Sequence, residues 1–172
     1  MMTLQATETF PPISGPGRPL RMYPVDSPRA KARIIVVALF ADGRVDAVEL
    51  SSLARRGVFA ELGLTGEDFF QVLYDFCADA AGLPEGRGNY LMSPALLETM
   101  FDEVSDTGER QKLVRLIFDV IRSDGHLAEG EARLFWKALD SWRLRLDDGI
   151  EFRPRAAAER QRGQVRIRSG LS

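Results

Sequence analysis

Ala41-Asp42-Gly43-Arg44-Val45-Asp46-Ala47-Val48-Glu49 decides the reading of this chain, because it returns 82 residues later as Ser123-Asp124-Gly125-His126-Leu127-Ala128-Glu129-Gly130-Glu131. The same offset sets Ile34 and Ile35 over Leu116 and Ile117, and Leu62 and Leu64 over Leu144 and Leu146. A register that persists on both sides of a short motif marks an internal repeat. Each copy reads as an apolar helix ending at an acidic residue, followed by a glycine that can take positive φ and turn the chain. An apolar residue then anchors the loop, and a second helix carries Glu in its first turn.

Working outward, apolar residues recur at helical spacing as Ile34, Val37, Ala38 and Ala41 before the first loop, and as Leu50, Leu53, Ala54 and Val58 after it. Ser27-Pro28 supplies a cap followed by proline at the first helical position, a start signal. A third helix is expected over residues 67–81, with Phe69, Phe70, Leu73, Phe76 and Cys77 on or near its buried face, and residues 83–88 form a break. Ser93-Pro94 opens a short helix through Val104, Thr107 caps a longer one to about Ser123, and the last runs over residues 129–146. No strand pattern appears, so the fold expected is all-α, a compact bundle of about six helices built on a duplicated helix-loop-helix unit. Its domain spans residues 28–148. Residues 1–27, with five prolines and Gly15 and Gly17, are expected to form an extended or disordered arm. Residues 149–172 are expected to be a disordered basic tail without enough apolar surface to stay ordered, although Val165-Arg166-Ile167-Arg168 alternates with period two.

Hydrophobic residues at 45% and charged residues at 28% place the chain among globular proteins. The net charge of -2 hides an asymmetry: from Glu151 onward six arginines (Arg153, Arg155, Arg160, Arg162, Arg166, Arg168) stand against two glutamates, leaving that stretch at +4 and the rest at -6. Such a stretch can contact RNA, DNA or an anionic membrane surface through counterion release, or remain solvated. A single cysteine, Cys77, excludes an intramolecular disulfide and reads as a buried small residue. The longest apolar run, from Ile34 to Ala41, is far shorter than the roughly 20 residues of a membrane span, so a cytoplasmic protein is expected, associated with membranes only through partners.

The acidic spacing in each copy resembles the second half of a calcium-binding EF-hand loop, but the earlier ligand positions hold Ala38 and Phe40 in one copy and Val120 and Arg122 in the other. A calmodulin-like sensor is excluded on that ground. Asp46 with Glu49 three residues on makes a capping box, and Glu131 is an acid in a first turn. Asp42 and Asp124 close their helices at the end where the dipole disfavours an anion, so two readings stay open for them: loop N–H donors or a divalent cation. His126, matched by Arg44, reads as an exposed loop residue. Trp136, Trp142 and Phe135 read as core or interface anchors. No Gly-rich phosphate loop and no Cys/His pair at catalytic spacing is present, and the one histidine has no second proton-relay partner. The expectation is a non-enzyme with no small-molecule substrate.

The Ala-Asp-Gly-x-Val-x-x-x-Glu core of residues 41–49, and its second copy at Asp124-Gly125 and Glu131, resembles the tellurite-resistance TerB family over roughly residues 30–147. A related acidic helical domain occurs in some DnaJ-type co-chaperones. The resemblance implies an all-helical fold with duplicated helical pairs, a divalent cation (Ca2+ or Mg2+) held by acidic residues, and a part in bacterial stress response through protein partners. The acids that match the family position by position are Asp42, Glu49, Asp124 and Glu131, and with Asp46 and Glu129 beside them they make the candidate metal residues. Within that set Asp46 faces Ala128, and Glu129 faces Ala47, across the repeat.

Overall fold

The structure, a computed structural model, describes residues 20–43, 45–81, 93–122, 125 and 127–146. The described residues fold into helices α1 (Pro28–Leu39), α2 (Ala47–Arg55), α3 (Val58–Glu61), α4 (Gly66–Ala81), α5 (Pro94–Phe101), α6 (Thr107–Ile121) and α7 (Glu129–Trp142), with no strand among them. This is the all-α bundle expected. The additional helix is the single turn α3. Residues 1–19, the break at 83–88 and the tail from Glu151 with its six arginines lie outside the described residues.

Helix α1 is the centre. Ser27 Oγ accepts the Ala30 N–H at 3.2 Å, Pro28 follows the cap, and the run from Ala32 to Leu39 is buried on every side. A helix that is apolar all round has to be enclosed. Here α4, α6 and α5 enclose it, and α7 closes the other side of α5 and α6. Trp142 pins α7 to α5, its ring tilted against that of Phe101 with centroids 4.9 Å apart and its Nε1–H donating to the Phe101 carbonyl at 3.2 Å. Asp106, rather than Thr107, caps α6, accepting the Glu109 N–H at 2.8 Å.

One residue in the enclosed run of α1 is not apolar. Arg33 is buried, and its guanidinium pairs with the equally buried Glu103 in the turn after α5. Arg33 also donates to the Arg21 carbonyl and lies over the Tyr23 ring at 4.9 Å, while Glu103 Oε1 accepts the Tyr23 N–H at 3.0 Å. Arg33 Nε finds no hydrogen-bond partner among the described residues. The segment before Ser27 is therefore ordered from Leu20, which is itself buried: the arm's end is extended, as its prolines require, but tied down by main-chain bonds to this pair. Asp26 completes the tie at φ +60, its N–H bonding the Glu103 carbonyl at 2.7 Å and its carboxylate accepting from Ser105 and Asp106 N–H at 2.7 and 3.1 Å.

The repeat survives folding with one change of length. Helices α2 and α7 begin at matched residues, Ala47 and Glu129, and Leu53 and Phe135 are buried in the same register. Then α2 stops, Gly57 takes φ +73, and α3 resumes, whereas α7 runs unbroken to Trp142. Both units end alike, at a left-handed residue (Gly63 or Arg143) followed by a leucine: Leu64 N–H bonds the Phe59 carbonyl and Leu144 N–H bonds the Leu139 carbonyl, each at 2.9 Å. These ends are 80 residues apart, not 82. Leu144 thus corresponds in space to Leu64, not to Leu62, because the break at Gly57 absorbs two residues of the first unit.

The buried face of α4 is set by Phe69, Val72 and Phe76. Phe70 and Cys77 each follow one residue behind a member of that set, about 100° around the helix, and are exposed. The expectation that they belong to the core is corrected on that geometry. Trp142 is core as expected, while Trp136 is 57% exposed.

Two outcomes follow from the tie around Glu103. Arg33→Met strands a buried carboxylate and should lower the free energy of unfolding in urea by about 3–5 kcal/mol, most of it regained in Arg33→Met/Glu103→Leu. Equal losses in both variants would show that the charge pairing is immaterial. The second concerns pH. The hydrogen bond from Ser105, with those from the Asp106 and Ser105 N–H groups, holds the Asp26 carboxyl below its ordinary value; Lys112 and Lys31 do the same for Glu109. A carboxyl depressed in the folded state stabilises fully above its unfolded pKa and loses that contribution as pH falls through its folded value. The melting temperature should therefore drop on acidification from about pH 5 to about pH 2, and drop less in Asp26→Asn, which tolerates the left-handed backbone. An identical decline in the two proteins would contradict this role for Asp26.

Candidate functional site

The first Asp-Gly loop begins where α1 runs out. Ala41 N–H bonds the Ala38 carbonyl at 3.2 Å and Gly43 N–H the Phe40 carbonyl at 2.9 Å, closing the helix with a tight turn. Gly43 then takes φ +87, and its counterpart Gly125 takes +77, a backbone state that other residues adopt only with strain. Val45 packs on the core and anchors this loop. Its counterpart Leu127 does not: it is 65% exposed, so the second loop lacks the apolar anchor the pattern implies.

The carboxylates divide by position. Asp46 caps α2, Oδ1 accepting the Val48 N–H at 2.9 Å, and Glu49 closes the capping box by accepting the Asp46 N–H at 3.4 Å. In the second copy Ala128 has no side-chain acceptor, and Glu131 alone reaches back to the Ala128 N–H at 2.7 Å while itself buried to 5% exposure. Glu129 pairs with Arg133 at 2.7 Å one turn along α7, with its side chain facing solvent. Asp42 is exposed at the loop. Asp124 and His126 lie outside the described residues.

The two units meet end to end. A Cβ placed on Gly130, in the first turn of α7, would come 2.1 Å from the Ala41 carbonyl oxygen. The C-terminal end of α1 therefore runs into the N-terminal end of α7, and the partial charges of the two helix ends oppose each other across the contact. Asp42, next to Ala41, lies in the positive field of the α7 N-terminus. That field joins loop N–H groups and cations among the sources of compensation for its charge.

Of the residues expected to hold a divalent cation, Asp46, Glu49 and Glu131 serve helix starts, and Glu129 has Arg133. Among the described residues no three His, Cys, Asp or Glu side chains come together in a metal-holding group. The described carboxylates thus fit helix termination and initiation, and do not by themselves make a cation cage. The arrangement sets the end of α1 against the start of α7. Sequence reading left open whether the loops approach each other, and the signal that bears on it is Gly130, a glycine inside a helix where the matched residue is Val48.

Gly130→Ala should cost about 3 kcal/mol or more by driving the two helix ends apart. Gly66→Ala, at the start of α4, is the control: its Cβ would meet Phe59 at an ordinary 3.7 Å, so it should be neutral or slightly stabilising. Chemical denaturation of both variants decides, and a neutral Gly130→Ala would remove the end-to-end contact.

Set against models of known protein families, curated proteins and solved structures, the chain matches none of them.

Proposed function

We propose that this chain is a non-catalytic, TerB-like helical module that acts through a protein partner, in the manner of a bacterial stress-response component. The observation that carries the reading is the matched start of α2 and α7 at Ala47 and Glu129, each behind an Asp-Gly loop with its glycine at positive φ. This is the duplicated helical pair that the resemblance calls for. Support for a scaffold comes from the carboxylates at the helix starts: their partners are helix N–H groups and Arg133, an arrangement that stabilises structure.

A divalent cation belongs to the reading as a ligand centred on Asp42 and Asp124, the two acids of the repeated Asp-Gly sequence. No helix among the described residues is long and apolar enough to cross a membrane, so a membrane role runs through the partner or through Arg153, Arg155, Arg160, Arg162, Arg166 and Arg168. That basic stretch carries the alternative, an accessory protein on RNA, DNA or an anionic surface.

Two measurements test the proposal. Chain purified at its natural level under native conditions should elute with a second polypeptide in constant ratio; elution alone under every growth condition, or nucleic-acid binding that fades with salt and disappears on deleting residues 150–172, would replace it with the alternative. In calorimetry of the chelator-stripped chain with Ca2+ and Mg2+, saturable heat absent from Asp42→Ala/Asp124→Ala places the cation in the loops. No heat in the parent removes the cation from the reading.

A further inference from the structure

We propose that the face under residues 20–23, built by α1, α4 and the turn after α5, is a receptor for an extended peptide segment of the pattern apolar-Arg-x-aromatic. Residues 20–23 fill it in cis, and a protein partner docks by displacing them with a segment of its own, an inference that rests on the partner-binding reading above. Three side chains of the bundle bind the main chain of the segment. Arg33 donates to the Arg21 carbonyl, Asp79 Oδ2 accepts the Arg21 N–H at 3.1 Å, and Glu103 Oε1 accepts the Tyr23 N–H at 3.0 Å. Bonds to main-chain groups select an extended shape in one register, whatever the side chains.

The chemistry of the occupant is read from the segment already seated there. Leu20 is buried in the core. The Arg21 guanidinium is forked between two carboxylates, its Nε and one terminal nitrogen on Asp79 at 2.9 and 3.0 Å and the other on Asp75 at 2.9 Å, a geometry that a lysine cannot reproduce. The Tyr23 ring lies against the Arg33 guanidinium at 4.9 Å, while Met22 is 51% exposed and goes unread. Residues 20–26 belong to no helix or strand. Their main-chain bond to the Glu103 carbonyl comes from Asp26, whose carboxylate is fastened to Ser105 and Asp106, so residues 20–23 can leave from a pivot at Pro24 and the exposed Val25. The cis occupant also leaves the receptor underused: Arg33 Nε, buried on the guanidinium that holds the segment, has no partner among the described residues.

The probe is a capped, fluorescein-labelled synthetic peptide of residues 18–25, added in trans to the full chain and followed by anisotropy. It should bind saturably to Leu20→Ser/Arg21→Ser, which weakens the cis segment and leaves Arg33, Asp75, Asp79 and Glu103 in place. The parent should bind it at least about tenfold more weakly, because affinity falls with the fraction of receptor left open. Arg21→Ser alone, at an exposed position, should fall between the two and keeps the test decisive should the double variant not fold. A scrambled peptide and one carrying Arg21→Glu should not bind, and adding Asp75→Lys/Asp79→Lys to the double variant should abolish binding. No binding to either released variant, binding of the scramble, or binding that ignores the Asp75 and Asp79 substitutions overturns the assignment. So does a parent chain that sediments as a dimer and is dissociated by the peptide, since the occupant is then a second copy. The native partner complex should be enriched in Arg21→Ser and lost in Asp75→Lys/Asp79→Lys. A complex unchanged in both leaves the partner reading standing and removes this receptor from it, whereas the absence of any complex removes the partner reading itself.

Discussion

Arg33 carries a charge into the two turns of α1 that face no solvent, and the rest of the molecule is arranged around that fact. A buried guanidinium needs a carboxylate and further acceptors, or its desolvation is uncompensated. Glu103 supplies the carboxylate from the turn after α5, and the Arg21 carbonyl supplies a second acceptor. Because Glu103 also takes the Tyr23 N–H, the extended segment from Leu20 to Asp26 has one place to lie. That placement delivers the Arg21 side chain to Asp75 and Asp79. A single charge in the central helix thereby decides which flank of α4 the chain covers and which it leaves open.

The repeated loops have a related logic. A helix end leaves carbonyls or N–H groups without intrahelical partners, and this fold places one C-terminal end against one N-terminal end. Close approach requires a residue without a side chain, and Gly130 provides it where the other copy has Val48. The duplication is therefore not symmetrical in use. In one unit the loop is anchored by Val45 and the following helix is split, and in the other Leu127 faces solvent while α7 runs straight from the joint to Trp142.

Much of the architecture was legible beforehand because it rests on local rules. Ser-Pro caps, glycines at positive φ and the Asp46/Glu49 box act within a few residues, and period 3.6 locates α1, α4 and α6. What escaped depends on contacts distant in sequence. Arg33 reads as one charge among many until Glu103, 70 positions away, is seen beside it. Phe70 and Cys77 sit beside core residues in sequence, and only the packing of α1 fixes which side of α4 turns inward. The drift of the repeat from 82 to 80 residues was hidden because the leucines recur every second residue there, so Leu62/Leu64 align with Leu144/Leu146 as readily as Leu64 does with Leu144. Of the site residues, Asp46, Glu49 and Glu131 were readable as helix-start groups from spacing alone, and the approach of Ala41 to α7 was not, because no local pattern encodes which ends of a bundle meet.

The shallow seating of α2 has a kinetic side. Leu53 is its one fully buried residue, whereas α1 buries nine and α7 six. Stability in a small bundle is distributed in cooperative blocks, and a helix with one deep contact belongs to the block that opens at least cost. Amide hydrogens of α2 then exchange through a sub-global excursion that leaves α1, α6 and α7 closed, and the first Asp-Gly loop travels with them. Of two copies of one pattern, the first leads into a helix with one deep contact and the second into a helix with six, so local opening reaches the first before the second.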